Sequence, residues 1–142
     1  MNLYIDTEFN GFGGELISMA LVSEDGQEFY ETLAPREPIN SWVSKNVMPV
    51  IGIPCLVREL FKQRLSDFLR KWPKITIIAD WPEDIKHFCD QLIVGPGGMA
   101  NIGPVIDMKI DRRLNSNASK IPHNALEDAK AIMLAHCGAK KE

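Results

Sequence analysis

The stretch YIDTEF at residues 4–9 determines how the rest of this 142-residue chain is interpreted. Residues 2–5 form an apolar run typical of a short strand, and two carboxylates follow it. Because side chains at i and i+2 of a strand point to the same face, Asp6 and Glu8 project together while Thr7 points away. Like charges this close repel unless a cation lies between them. The pair is therefore either half of a site for a hard divalent ion or a solvated acidic strand end.

Composition favours one ordinary globular domain over residues 1–142. The net charge of −3 argues against a protein that coats nucleic acid through a broad basic surface. Three cysteines without paired spacing, and no basic-then-apolar leader, lead us to expect a reducing cytoplasmic location. No apolar run approaches membrane-spanning length, so no membrane partner is expected.

The pattern along the first half of the chain predicts a three-stranded antiparallel meander followed by helices. Glu24-Asp25-Gly26 is a hairpin signal between the second and third strands. Trp42 and Val43 are expected to pack in the core, with a base-stacking surface as the alternative for Trp42. The predicted elements are strands at 2–5, 16–23 and 27–33, helices at about 41–47 and 56–72, a strand at 75–79 and a helix at 85–93.

The second half predicts one more strand and two more helices. Residues 105–107 form a short strand, and Asp107 is placed to cap a helix beginning at Met108. Asn124 and Glu127 form a capping-box pattern that starts the last helix at Asn124. The fold expected is mixed α/β, with a sheet of about five strands, the first three antiparallel and the last two parallel, flanked by helices.

Each downstream acid has an ordinary structural explanation of its own. Asp80 or Asp84 could cap the helix after the middle strand, and Asp128 could favour the dipole of the last helix. His123 lies in the loop just before that helix.

Taken together, the order Asp-x-Glu, Asp, His-x-x-x-x-Asp resembles the DEDDh 3′–5′ exonucleases of the ribonuclease-H-like fold. Asp6 and Glu8 match the first motif, and His123 with Asp128 matches the third. Asp84 matches the second motif best, although Asp80, four residues earlier, stays open as the alternative. The resemblance covers nearly the whole chain and is closest to the small stand-alone exoribonucleases.

The resemblance implies a ribonuclease-H-like sheet and two divalent ions, Mg²⁺ or Mn²⁺, that drive phosphodiester hydrolysis. Asp6, Glu8 and Asp128 would bind the ions directly and Asp84 through water. His123 would be the general base, since an imidazole ordinarily titrates near pH 6.5. The substrate would be the 3′ end of single-stranded or overhanging RNA, or of DNA, and a homodimer is a family expectation. The residues expected to contact substrate are Thr7, Phe9, Asp80 and Trp81.

Two other classes of function remain open. A non-catalytic nucleic-acid-binding domain of the same fold would bind without cleaving, although the presence of all five motif residues counts against it. A hydrolase of nucleotides or other small phosphate esters would use the same metals. The basic segment from Lys109 to Lys120 favours a polymeric substrate.

Overall fold

The computed structural model describes residues 1–140. Its elements confirm a mixed α/β architecture in which strands come first and helices alternate with strands afterwards. The strands are β1 (Asn2–Phe9), β2 (Leu16–Ser23), β3 (Glu28–Leu33), β4 (Cys55–Leu56), β5 (Lys74–Ala79), β6 (Ile93–Gly95), β7 (Gly98–Met99) and β8 (Val105–Ile110). The helices are α1 (Ser41–Asn46), α2 (Arg58–Leu69), α3 (Pro82–Leu92) and α4 (Ala125–Ala139), with a 3₁₀ turn at Met48–Val50.

The central sheet has six strands in the order β4-β3-β2-β1-β5-β8, so the expectation of about five strands was wrong. β1, β2 and β3 pair antiparallel, and β5 and β8 pair parallel, as predicted. β5 also lies parallel to β1. The additional strand is β4, which pairs parallel to β3 through Cys55 and Leu56. A strand of two residues leaves no alternating pattern to detect in a sequence.

The helix expected at Met108 does not form. Residues 105–110 all pair with β5, from Lys74 opposite Val105 to Ala79 opposite Ile110. Asp107 therefore lies within a strand, where it forms an ion pair with Lys74 at 3.7 Å. Pairing along a full-length neighbouring strand outweighs the capping preference of one aspartate.

The core is divided between the two faces of the sheet because side chains of β1 alternate. Leu3 and Ile5 pack on the face covered by α2 and α3, together with Phe61 and Phe88. Tyr4 packs on the opposite face, with α4. Asp6 and Glu8 continue the Tyr4 side of the strand, whereas Thr7 continues the Leu3 side.

Helix α4 approaches the sheet closely through small residues. Ala125 and Ala129 are fully buried against Ala20 and Val22 of β2. At the other end of the helix, the Tyr4 hydroxyl bonds Nδ1 of His136 at 2.8 Å, across 132 residues of sequence. The last helix is thus fixed to the first strand at a buried polar contact.

No helix within residues 1–140 combines the length and apolar character needed to cross a membrane.

Candidate active site

The site forms where β1 extends past the strand beside it. The parallel pairing of β1 with β5 ends at Tyr4 opposite Ile78. Asp6 and Asp80 each follow two residues beyond that last pair, so the chain directions alone bring them to the same edge of the sheet. Glu8 lies two residues further along β1, on the same face as Asp6, and is still paired with Ser18 of β2.

Five carboxylates gather there in two overlapping groups. Asp6, Asp80 and Asp84 form one, and Asp6, Glu8 and Asp128 form the other. Within each group, one oxygen from every residue lies within 4.8 Å of the others. Asp6 belongs to both groups, which is the arrangement expected of two neighbouring cation sites that share a ligand. Asp80 and Asp84, alternatives in the sequence, both reach the cluster.

Asp84 is held in place by β1. It lies in the first turn of α3, which begins at Pro82, and is 3% exposed. Both the backbone N–H and the hydroxyl of Thr7 donate to its Oδ1, at 3.0 and 2.6 Å. Thr7 therefore directs its hydroxyl to this carboxylate rather than to an open cleft, which leaves the other oxygen of Asp84 for the cluster.

Asp128 is positioned by α4. Asn124 caps the helix at the predicted start by accepting from the N–H of Glu127 at 3.1 Å. The Glu127 side chain accepts from Lys130 and does not complete the capping box. This start places Asp128 in the first turn, buried, where its Oδ2 accepts the backbone N–H of His123 at 3.2 Å. Its Oδ1 is buried and accepts no hydrogen bond, and the same holds for Oδ2 of Asp6.

Burial and mutual repulsion raise the pKa values of these acids. At Asp6, burial is the largest cause of the rise in pKa, followed by the charges of Asp84, Glu8, Asp128 and Asp80. Together they hold the pKa of Asp6 well above its usual range. Burial, then the charges of Asp128 and Asp84, raise the pKa of Glu8 to about 8. Burial also raises the pKa of Asp84 to about 7, against the opposing hydrogen bonds from Thr7.

The pKa of Asp128 is likewise raised by burial, although the nearby Ser119 hydroxyl and the His123 N–H oppose the shift. Without a cation, the cluster would therefore retain protons near neutral pH.

These donors suit a hard divalent ion. All five groups supply carboxylate oxygens, which Mg²⁺ and Mn²⁺ prefer over softer ligands. Two of the oxygens are buried without a hydrogen-bond partner, and such atoms are costly unless a cation or a proton satisfies them. The residues present therefore fit a divalent-metal centre.

His123 lies at the rim of the cluster in an unusual backbone conformation. Its φ of 69° makes it the one non-glycine residue among residues 1–140 with a left-handed backbone. Its ring meets Trp42 edge to face, with centroids 5.0 Å apart. Trp42 is 52% exposed, so the expectation that it is a core anchor was wrong; Val43, 2% exposed, does pack in the core.

Two aromatic residues close to the first motif, Phe9 and Phe12, have different surroundings. Phe9 stacks on His87 with centroids 5.0 Å apart, which ties it partly to the fold. Phe12 is fully exposed on the glycine-rich turn after β1. An open cavity of about 420 Å³ adjoins the cluster, and its lining includes Glu8, Phe9, Phe12 and Trp42.

Sequence reasoning did not single out Arg112, whose guanidinium lies 4.2 Å from the ring centroid of Trp81. Trp81 itself is 44% exposed. The basic character of residues 109–120 was the signal available, but nothing in the sequence distinguished this arginine from its neighbours.

The fold and the site define a mixed α/β protein with a carboxylate-rich centre suited to divalent ions. No protein-family model matches the chain. Two curated proteins of Mycobacterium tuberculosis, from strains CDC 1551 / Oshkosh and ATCC 25618 / H37Rv, are each 36% identical to it over 78 residues. Both are named 3′-5′ exoribonuclease. The similarity covers 49% of this chain and 46% of each relative, so the chain spans about half the length of the curated relatives it matches.

Proposed function

We propose that this chain is a metal-dependent 3′–5′ exoribonuclease with a ribonuclease-H-like fold and a DEDDh-type site. The observation that carries the proposal is the pair of carboxylate clusters sharing Asp6, with ligand atoms within 4.8 Å of one another. The names of the two mycobacterial relatives support the same activity. The substrate would be the 3′ end of single-stranded or overhanging RNA, with DNA as the alternative.

The ligand assignment follows the two clusters. Asp6, Glu8 and Asp128 would hold one divalent ion, and Asp6, with Asp84 and Asp80, would hold the other. Two such ions supply, when bound, an activated water and stabilisation of the charge that develops on the phosphate and leaving oxygen.

The chain's own groups orient the reaction. His123 would take the proton of the attacking water, and its loop is fixed by the N–H donated to Asp128 and by the ring contact with Trp42. Thr7 fixes the orientation of Asp84 through two hydrogen bonds to one oxygen. The cavity beside Glu8, Phe9 and Trp42 would receive the terminal nucleoside, where aromatic rings can stack a base.

Time-resolved digestion of matched 5′-labelled RNA and DNA oligonucleotides tests the proposal. Each would be incubated with Mg²⁺, with Mn²⁺ and with chelator, using the wild type, Asp6→Asn and Asp90→Asn. Asp90 is an exposed acid on α3 that pairs with Lys86 at 3.2 Å, so its loss controls for a change of surface charge. We expect a metal-dependent ladder that shortens from the 3′ end, is absent in Asp6→Asn and is unchanged in Asp90→Asn.

Other outcomes would select the alternatives. Binding of the oligonucleotides without any ladder would indicate a non-catalytic nucleic-acid-binding domain. Hydrolysis of bis(p-nitrophenyl) phosphate or of mononucleotides, with no action on oligonucleotides, would indicate a hydrolase of small phosphate esters. Either result would overturn the exoribonuclease assignment.

A further inference from the structure

Arg112 and Trp81 form a stacked pair beside the carboxylate cluster. The guanidinium carbon of Arg112 lies 4.2 Å from the centroid of the Trp81 ring. One amine of the same guanidinium, Nη1, donates to the backbone oxygen of Asp80 at 2.9 Å. Asp80 is itself a member of the cluster with Asp6 and Asp84. The arginine is therefore held against a residue of the candidate metal centre.

The pair is accessible to a ligand. Arg112 is exposed, and Trp81 is 44% exposed even with the guanidinium over it. The indole N–H is directed away from the arginine, to Oε1 of Glu83 at 3.1 Å. Among the described residues Arg112 makes one hydrogen bond, so most of its five N–H groups remain open to another acceptor.

The cations next to Arg112 in sequence are already paired. Arg113 donates from Nε and Nη2 to both oxygens of Asp111, at 2.9 and 2.8 Å. Lys109 lies 3.5 Å from the same carboxylate. In this segment Arg112 is the cation directed towards the cluster. It forms no ion pair within residues 1–140, although its charge opposes the rise that burial causes in the pKa of Asp80.

A guanidinium in this setting is suited to phosphate. Its planar fork matches two phosphate oxygens, and stacking on an aromatic face fixes its orientation before the ligand arrives. A carboxylate ligand is disfavoured because the five acids at this edge repel anions. A phosphodiester chain is repelled less, because the divalent ions that bind with it neutralise part of its negative charge. Arg112 is not a member of the cluster but borders it at Asp80.

We propose that Arg112, oriented by Trp81, binds the backbone phosphate of the nucleotide upstream of the scissile phosphodiester and so makes the protein select oligonucleotides over dinucleotides. This inference rests on the proposed exoribonuclease function. The Arg112 contact would bind single-stranded polynucleotide at a phosphate that the carboxylate cluster does not reach.

Substrate length separates this contact from the cluster itself. ApA contains only the scissile phosphate, whereas a pentaadenylate adds upstream phosphates. Arg112→Ala should lower kcat/KM for pentaadenylate about tenfold more than kcat/KM for ApA, as for loss of one charge-assisted hydrogen bond. Arg112→Lys should recover only part of the loss, because it keeps the charge but loses the fork and the stacking.

Lys71→Ala provides the matched control. Lys71 is also a surface cation over an aromatic ring, 4.8 Å from the centroid of Phe68. It bonds Gln27 at 2.8 Å, beside the β2–β3 turn. That turn lies at the start of β1, where Leu3 pairs with Ser23, and hence at the opposite end of the strand from Glu8. Lys71→Ala should therefore leave the kinetics on ApA and on pentaadenylate unchanged.

Equilibrium binding gives a second readout that does not depend on turnover. Fluorescence anisotropy of a 5′-labelled pentaadenylate, measured with Ca²⁺ over a series of salt concentrations, should show weaker binding to Arg112→Ala. The slope of log affinity against log salt should become shallower by about 0.7, the value for one phosphate contact on a single strand.

The outcomes are distinguishable. Equal losses on ApA and pentaadenylate would show that Arg112 acts on the metal centre through Asp80 or on the scissile phosphate, and would overturn the proposal, as would no loss on either substrate. If the wild type cleaves neither substrate, the proposed function fails, and the anisotropy slope alone then supports or overturns the role of Arg112.

Discussion

Thr7 donates two hydrogen bonds to a single oxygen of Asp84, one from its backbone N–H at 3.0 Å and one from its hydroxyl at 2.6 Å. The two residues come from different layers, Thr7 from the central strand β1 and Asp84 from the first turn of α3. Because Thr7 points away from Asp6 and Glu8, it supports the acid cluster from behind rather than joining it.

Thr7→Val should weaken metal binding without removing any proposed ligand. The hydroxyl bond to Asp84 is lost, and nothing replaces it in the buried pocket. We expect a fall in Mn²⁺ affinity of about tenfold, typical for loss of a group that orients a ligand, and a loss of about 1–2 kcal/mol in unfolding free energy. Calorimetric Mn²⁺ titration and urea denaturation measure the two effects.

Thr7→Ser is the control for this substitution, since it keeps the hydroxyl and should stay close to wild type. Unchanged Mn²⁺ affinity in the valine variant would show that Asp84 does not depend on Thr7 for its orientation.

The metal-free protein should lose stability as the pH rises from about 6.5 to 8.5. Burial and neighbouring acids raise the pKa of Glu8 to about 8 and that of Asp84 to about 7, and they raise that of Asp6 as well. In this window the folded state holds protons that the unfolded state has already released, so stability falls with pH, by at most about 1.4 kcal/mol per pH unit for each group.

Urea denaturation in chelator at several pH values checks this prediction. The window starts at pH 6.5 because the lowered pKa values of His87 and His136 act in the opposite direction below it. Saturating Mg²⁺ should abolish most of the decline, and Asp6→Asn should reduce it. Stability that stays level or rises in chelator would contradict the raised pKa values.

His123→Ala should separate turnover from metal binding. If the imidazole is the general base, single-turnover cleavage of RNA should slow by about 100- to 10,000-fold, while Mn²⁺ affinity stays within a few-fold of wild type. His123→Asn is a useful second variant because asparagine tolerates the left-handed backbone found here, φ 69°. Wild-type rates in both variants would rule His123 out as the base.

Gly14→Ala should damage the turn that follows β1. A Cβ at Gly14 would overlap the backbone oxygen of Asn10, so the turn must move. Asn10 also anchors α1, since its Oδ1 accepts the N–H of Asn40 at 2.7 Å. We expect a loss of about 1–3 kcal/mol in unfolding free energy and a higher KM for RNA.

Gly138→Ala serves as the control for this turn. Gly138 lies in α4 with nothing within 4 Å of an added Cβ. Alanine should leave activity unchanged there and stabilise the protein by up to about 1 kcal/mol. Equal thermal midpoints for Gly14→Ala and wild type, by circular dichroism, would show that the overlap is relieved without cost.

Much of the fold was predictable because its signals are local. The bounds of β2 matched residues 16–23, and the capping pattern at Asn124 placed the start of α4 correctly. β4 and the continuation of β8 to Ile110 were missed because pairing with a distant strand, not local pattern, creates them.

In the candidate site, too, some features could be predicted from the sequence and others could not. Motif order named four acids and left Asp80 open as the alternative to Asp84, and the structure brings all five carboxylates together. The double bond from Thr7 to Asp84, the contact between Trp42 and His123, and the stacking of Arg112 on Trp81 depend on side-chain directions between separate elements. A single sequence gives no periodic or spacing signal for such contacts.

The bond between Tyr4 and His136 joins segments 132 residues apart, and it has a kinetic consequence. β1 and β2 can form a hairpin early, but β1 acquires β5 and α4 only through long chain closures, which are slow steps. A nascent chain would therefore display Asp6 and Glu8 long before Asp128 reaches them. The carboxylate cluster can therefore be completed only after α4 has been synthesised and has packed against β1.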